Sequence, residues 1–399
     1  MHNPQKWVPV LRKDYAKNMR KTFARSAALL LVSALPAQAE ITLKTTAQID
    51  VVFDAHRDRC DGHDTPDMNP RAYRDSSGKI HLFALHFFNR ALRGPSLDKL
   101  KIDCKIALGS GLNANPAIYD DRRYLTATWT DDGTHINAVV HHEYHAENHG
   151  TCTSKETLAC WYNSYLSFRS KDGGISFQPD TPIVLAAAPF KQTQDQGRHR
   201  GFFNPSNIVS DGAYKYFLGA TTGWAGQNFG PCLFRSADPK DSSSWRAWDG
   251  KDFTVHYADP YGPNFVSPKA CAPLAPFGMP VGSISRHTKS GTWIAVWQAP
   301  KNTTTTPVEG FYYTTSKTLT QWSAPKLLRA GKTMFSDPCT SGGALINYPA
   351  LLDADAKTRN FEDVTDTPSL FYTVLKVEGC KIGTDRTLVR EKVTITDHK

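Results

Sequence analysis

The chain has 399 residues, 47 of them Lys or Arg and 38 Asp or Glu, for a formal charge of +9. Seven of the basic residues and one acidic residue fall within the first 39, leaving 40 against 37 beyond them. That near balance removes the case for a nucleic-acid partner, and 9 Trp, 15 Tyr and 20 Phe suffice for one large core.

In chain order, a positive stretch from Met19 to Arg25 precedes an apolar run, Ser26 to Leu35, and the small residues Ala37 and Ala39. This is the pattern of a cleaved export signal over residues 1–39, with Met19 as its better start, and the run is too short to cross a bilayer. Residues 40–399 are expected to form a single secreted or periplasmic domain, a monomer without cofactor, metal or membrane insertion. No linker rich in Pro, Gly or Ser divides them.

All eight cysteines follow the leader. An even number in an exported chain predicts disulfides, and the absence of C-x-x-C argues against a zinc site. The expected pairing is sequential: Cys60–Cys104, Cys152–Cys160, Cys232–Cys271 and Cys339–Cys380.

Long amphipathic helices are absent. Short runs rich in Val, Ile, Tyr, Phe and Trp alternate with Asp-Gly, Ser-Gly and Pro turns, which predicts an all-β fold. A recurring unit of short strand, polar turn and aromatic strand appears at Asn69–Phe83, Arg123–Val140, Phe203–Phe217, Ser283–Trp297 and Asn347–Asp353 with Ser369–Leu375. Outer-strand segments follow, such as Leu166–Phe177, Cys232–Asp238 and Phe311–Pro325. Five such units fit a five-bladed β-propeller, with Ile41–Phe53 closing the last blade. A six-bladed propeller and a β-sandwich are the alternatives.

Ser170-x-Asp172-x-Gly174-x-x-Phe177 resembles the Asp-box turn of sialidase-type propellers. The repeated Asn/Tyr-Pro, strand, Asp-Gly, aromatic-strand unit resembles blades of the five-bladed glycosidases that include arabinanases, xylosidases and fructosidases. No characterised subfamily is cleanly matched, and the arginine triad of sialidases cannot be assigned. The resemblance implies a third carboxylate for orientation and pKa tuning, a role that Glu309 would fill. The family's Asp stands directly before Pro, where this chain has Asn69-Pro70.

In such blades the start of the innermost strand and the end of its neighbour share a face. That face would gather His63, Asp64, Asp67, Asn69 and Arg71 from the first unit, with His86 at its second strand end. The second unit contributes the end of Ala138–Ala146, an apolar strand running into His141, His142, Glu143, Tyr144 and His145. By alternation His141, Glu143 and His145 point one way, His142 and Tyr144 the other. Arg198, His199, Arg200 and Asn204 precede or enter the third unit, whose second strand Trp224 ends, and Trp297, Gln298, Glu309, Asn347 and Tyr348 come from later ones.

A carbohydrate substrate cleaved between paired carboxylates is the first reading, with Glu143 as acid and Asp67 as base or nucleophile. Substrate contacts are expected from His63, Asp64, Arg71, His86, Tyr144, His145, Arg198, Arg200, Asn204, Trp224 and Trp297. A uronate lyase using His145 or His86, Tyr144 and Arg200 is the second reading. A non-catalytic glycan-binding propeller is the third. His-Glu-x-His at 142–145 lacks the spacing of zinc proteases.

Overall fold

The computed structural model describes residues 40–154, 159–192, 199–224, 226–263, 265–302 and 304–398. The expected leader and Arg198 lie outside them. Every regular element longer than four residues among the described ones is a β-strand.

Strand β1 (Glu40–Asp54) is followed by a four-stranded antiparallel sheet of β2 (Pro66–Arg74), β3 (Ile80–Leu85), β4 (Arg90–Gly94) and β5 (Lys101–Ile106). Next come β6 (Arg122–Trp129), β7 (Ile136–His145), β8 (Trp161–Ser170) and β9 (Gln178–Ala186), then β10 (Arg200–Phe203), β11 (Val209–Asp211), β12 (Tyr214–Thr221), β13 (Gly230–Ser236), β14 (Arg246–Trp248) and β15 (Phe253–Val255). These ten form one sheet because β10 pairs in parallel with β8, Gly201 opposite Asn163. Strands β16 (Val281–His287), β17 (Trp293–Ala299), β18 (Gly310–Ser316) and β19 (Lys326–Ala330) form a further meander, extended by β21 (Asp363–Val364). The last sheet has the order β1-β23-β22-β20, from β20 (Ala344–Leu352), β22 (Ser369–Glu378) and β23 (Lys381–His398). The first strand therefore closes the last sheet, as the sequence suggested for Ile41–Phe53.

Neighbouring sheets meet along their first strands. β2 packs beside β6 and β20, and β16 packs beside β20 and β12. With the β8–β10 pairing, these contacts run round the molecule and return to β2. The apolar residues of facing strands fill the gaps between sheets, as in the cluster of Phe83, Leu125, Val140, Leu166 and Phe177. Central strands are covered on both faces, so β7 is buried at all ten positions and its polar end must find partners inside the protein.

The four expected disulfides are present: Cys60–Cys104, Cys152–Cys160, Cys232–Cys271 and Cys339–Cys380. At 170–177 a tight turn forms around Asp172, whose carboxylate accepts from the backbone N–H groups of Ile175 and Ser176 and from Ser176 Oγ. Burial pushes this carboxyl up, but those bonds and that from Ser170 outweigh it and hold it at about 2. Among the described residues no helix is long and apolar enough to cross a membrane.

Candidate active site

One pocket opens where the first strands and the ends of their neighbours converge. Its empty space, open mouth included, is about 900 Å³. Asp67 and Asn69 enter it from β2, Tyr124 from β6, His141 and Glu143 from β7, Trp161 from β8. Phe203, Asn204, Thr221, Gln298 and Tyr348 complete much of its wall.

The two carboxylates come from different sheets and are held differently. Asp67 Oδ1 accepts from Arg386 Nη1 on β23 and from Tyr348 Oη at 3.1 Å, while Oδ2 lies 3.5 Å from His86 Nε2. Glu143 stands opposite Arg122 in the β6–β7 register, and its Oε2 lies 3.1 Å from His145 Nε2. Both acids line the same pocket as Tyr124 and Tyr348, whose phenols feel the charge of both. Burial first, and those charges second, push both phenols well above their usual range, so they remain O–H donors.

Glu143, the expected acid, is not raised. Burial does push it up, but the His145 hydrogen bond and the nearby His141, His145 and Arg122 outweigh burial and lower it. His145 shows the reciprocal effect: burial pulls it down, yet bonds to Glu143 and Glu147 raise it above the ordinary histidine value. His141 is lowered by burial first, and its Nε2 sits 2.8 Å from Asn163 Oδ1.

Asp67, Glu143 and Asn204 line the pocket, as do Asn69 and His199. His86 and His145 stand behind the two carboxylates. The other expected residues lie elsewhere for identifiable reasons. Glu309 accepts from Thr333 N–H, Thr333 Oγ1 and Ser336 Oγ, which makes it a loop clamp. Arg71 is buried below the pocket and donates to the carbonyls of Thr126, Pro70 and Pro205. Asp64 is buried against Arg90 and caps the N–H groups of Cys60 and Asp61. His63 is exposed against Phe88, and Tyr144 donates to the Ala114 carbonyl. Arg200 donates to the Gly223 carbonyl. Trp224 and Trp297 pack with the core, against Phe202 and Phe277 respectively. The Cys152–Cys160 disulfide packs with Tyr144, Tyr162 and Phe190, so it backs the strand end and does not line the pocket.

Two residues of the site carried no local signal: Arg386, which pairs with Asp67, lies mid-strand among ordinary residues, and Tyr124 looks like a core aromatic. Tyr348 has a left-handed φ of 57°, a conformation costly for a tyrosine, and its backbone N–H donates to Gln298 Oε1 at 3.1 Å. At the Asn-Pro step, Asn69 Nδ2 donates to the Pro349 carbonyl at 2.9 Å, which an ionised aspartate cannot do. Among the described residues no cluster of His, Cys, Asp and Glu is arranged to hold a metal ion.

No protein-family model and no curated protein sequence matches the chain. Among solved structures it is similar to a thermostable family-43 glycoside hydrolase, at 12% identity over 84% of this chain and 95% of that one, with a TM-score of 0.45. It is similar to the catalytic domain of the Coprinopsis cinerea GH62 alpha-L-arabinofuranosidase, at 10% identity, 90% and 98% coverage and a TM-score of 0.46. A third is the Cellvibrio cellulosa alpha-L-arabinanase complexed with arabinohexaose, at 11% identity, 82% and 91% coverage and a TM-score of 0.46. A likeness at this level carries over no residue role and no substrate.

Proposed function

We propose that the protein is an exported glycoside hydrolase built as a five-bladed β-propeller, with Asp67 and Glu143 as its catalytic carboxylates. The blades would be β2–β5, β6–β9, β10–β15, β16–β19 and β20 with β22, β23 and β1. Four disulfides favour an oxidising compartment.

The observation that carries the reading is the pair of carboxylates lining one pocket around Tyr124 and Tyr348. Hydrolysis of a glycosidic bond needs one carboxyl to protonate the leaving oxygen and another to activate water or attack the sugar carbon. Arg386 pairs with Asp67 and fixes its position, which suits the base or nucleophile. Glu143, backed by His145, takes the leaving-group side. Trp161, Phe203 and Phe335 supply apolar surface for a sugar ring.

The same lining disfavours the uronate lyase. Among the described residues it contains two carboxylates and no Lys or Arg. A uronate would meet the like charge of two carboxylates there. A neutral poly- or oligosaccharide fits better.

The test is a panel of neutral and uronate-containing polysaccharides read by released reducing ends and by absorbance of unsaturated uronate. Reducing ends without that absorbance are expected. Glu143→Gln and Asp67→Asn should each lower kcat/KM by on the order of 10³-fold, the scale of a lost acid–base group. Unsaturated products, or variants as active as the wild type, would remove the reading.

A further inference from the structure

Behind the pocket, Glu143 is the first member of a three-residue chain. His145 Nε2 lies 3.1 Å from Glu143 Oε2, and His145 Nδ1 lies 3.0 Å from Glu147 Oε1. The His145 side chain has no exposure, whereas that of Glu147 is 34% exposed. The chain therefore runs from the pocket, through a buried imidazole, to the surface turn at 146–149. The ring is also stacked on Trp161 at 5.3 Å, and its backbone N–H donates to Asp121 Oδ2 at 2.7 Å.

Resting on the hydrolase reading of the pocket, we propose that His145 is a positioning residue that stores the proton Glu143 delivers to the leaving group, with Glu147 clamping the ring from the surface side. The arrangement explains how a carboxylate kept ionised can serve as an acid. As the glycosidic C–O bond breaks, its oxygen takes a proton from Glu143. Glu143 has taken that proton from Nε2 of the imidazolium, leaving a neutral ring with its remaining proton on Nδ1, donated to Glu147. The hydrolytic water gives its hydroxyl to the sugar carbon and its proton to Asp67, which passes it to solvent, while a solvent proton entering through Glu143 restores Nε2–H. One C–O bond breaks, one forms, and the proton count is unchanged.

The charge around the ring favours the loaded state. Glu143 and Glu147 contact it directly, and Asp121 lies beneath its backbone, itself shared with His149 and Arg122. Arg122, His141 and His142 oppose a charge on it. His199 lies against Trp161, with ring centroids 5.3 Å apart. The balance keeps His145 raised, so the reservoir is full below that range and empties as pH rises through it.

The experiment combines pH profiles of kcat and KM with ¹⁵N NMR titration of histidine-labelled protein, for wild type, His145→Gln and Glu147→Gln. In the wild type the alkaline limb of kcat should coincide with the His145 titration. Glu147→Gln should move both to lower pH together. His145→Gln should lower kcat at pH 7 by on the order of 10²-fold with little change in KM, and shift the limb to lower pH. A profile merely scaled down at every pH overturns the relay, and so does an imidazole already neutral where the enzyme is fully active. A wild type that cleaves no glycoside overturns the hydrolase reading and the delivery step with it. An active wild type whose limb ignores Glu147→Gln overturns the relay alone.

Discussion

His142 and His145 are three residues apart on one strand and titrate in opposite directions. Each is fully buried, so each loses hydration of its charged form. His145 recovers that loss from two carboxylates. His142 does not: Arg123 and its histidine neighbours add to the burial, and the Asp121 backbone N–H donates to its Nε2, which requires that nitrogen to be unprotonated. The folded value of His142 thus lies well below the unfolded one. Its contribution to stability is complete above about pH 6.5 and is lost as pH falls from there toward the folded value. Stability should therefore fall on acidification below about pH 6.5. His142→Gln should flatten the slope of unfolding free energy by up to about 1.4 kcal/mol per pH unit, the equivalent of one proton. Urea titrations at successive pH values measure this, and an unchanged slope would assign the acid sensitivity to another group. His145 contributes with the opposite sign, fully below about pH 6.5 and less as pH rises through its raised folded value.

At the scale of elements, the short parallel contact between β8 and β10 depends on a glycine. Gly201 has φ of +103°, and a Cβ there would lie 2.0 Å from the Asn163 carbonyl oxygen. The adjoining Asn163 orients His141, and Phe203 and Asn204 follow in the pocket wall, so this contact helps to shape the site. Gly201→Ala should cost about 1–3 kcal/mol, combining backbone strain with the clash. Gly212 also has a positive φ, +59°, but sits in an open turn with nothing near its missing Cβ. Gly212→Ala should cost no more than about 1 kcal/mol. Parallel denaturation curves distinguish the two, and equal costs would show that strain alone matters. The sequence marked Asp211-Gly212 as a turn because the dipeptide is a local signal. It could not mark Gly201 in the same way, because the crowding atom lies 38 positions earlier on another strand.

For the whole molecule, closure is what assembles the site. Asp67 enters from β2 and its counter-charge Arg386 from β23, 319 residues later. Tyr348, from β20, supplies the second bond. Arg386→Gln should destabilise the fold by about 1–3 kcal/mol, below the usual cost of breaking a buried pair because both side chains keep some solvent contact. It should also lower activity by freeing Asp67 to move. Thermal unfolding and kcat/KM together test this, and a stable variant of full activity would show that Tyr348 alone holds the carboxylate.

What the sequence determined by itself is what local chemistry can encode. Period-two runs, Asp-Gly turns and a recurring strand–turn–strand unit defined the strands, the all-β class and the place of β1 in the last sheet. Alternation along Ala138–Ala146 put His141 and Glu143 on one side and His142 on the other. Only the tertiary structure decided charge states and partners. Glu143 is lowered because His145, His141 and Arg122 converge on it, whereas the end of an apolar strand read alone suggests a raised acid. In the sequence Arg71 reads as a substrate contact and Glu309, through the family resemblance, as the third carboxylate. In the fold, three carbonyls and a Thr–Ser loop claim them. The reason is physical: a buried ionisable group takes its state from whatever lies within a few ångströms, and the sequence does not say which residues those are; for Glu143 one of them is Arg122, opposite it on the neighbouring strand.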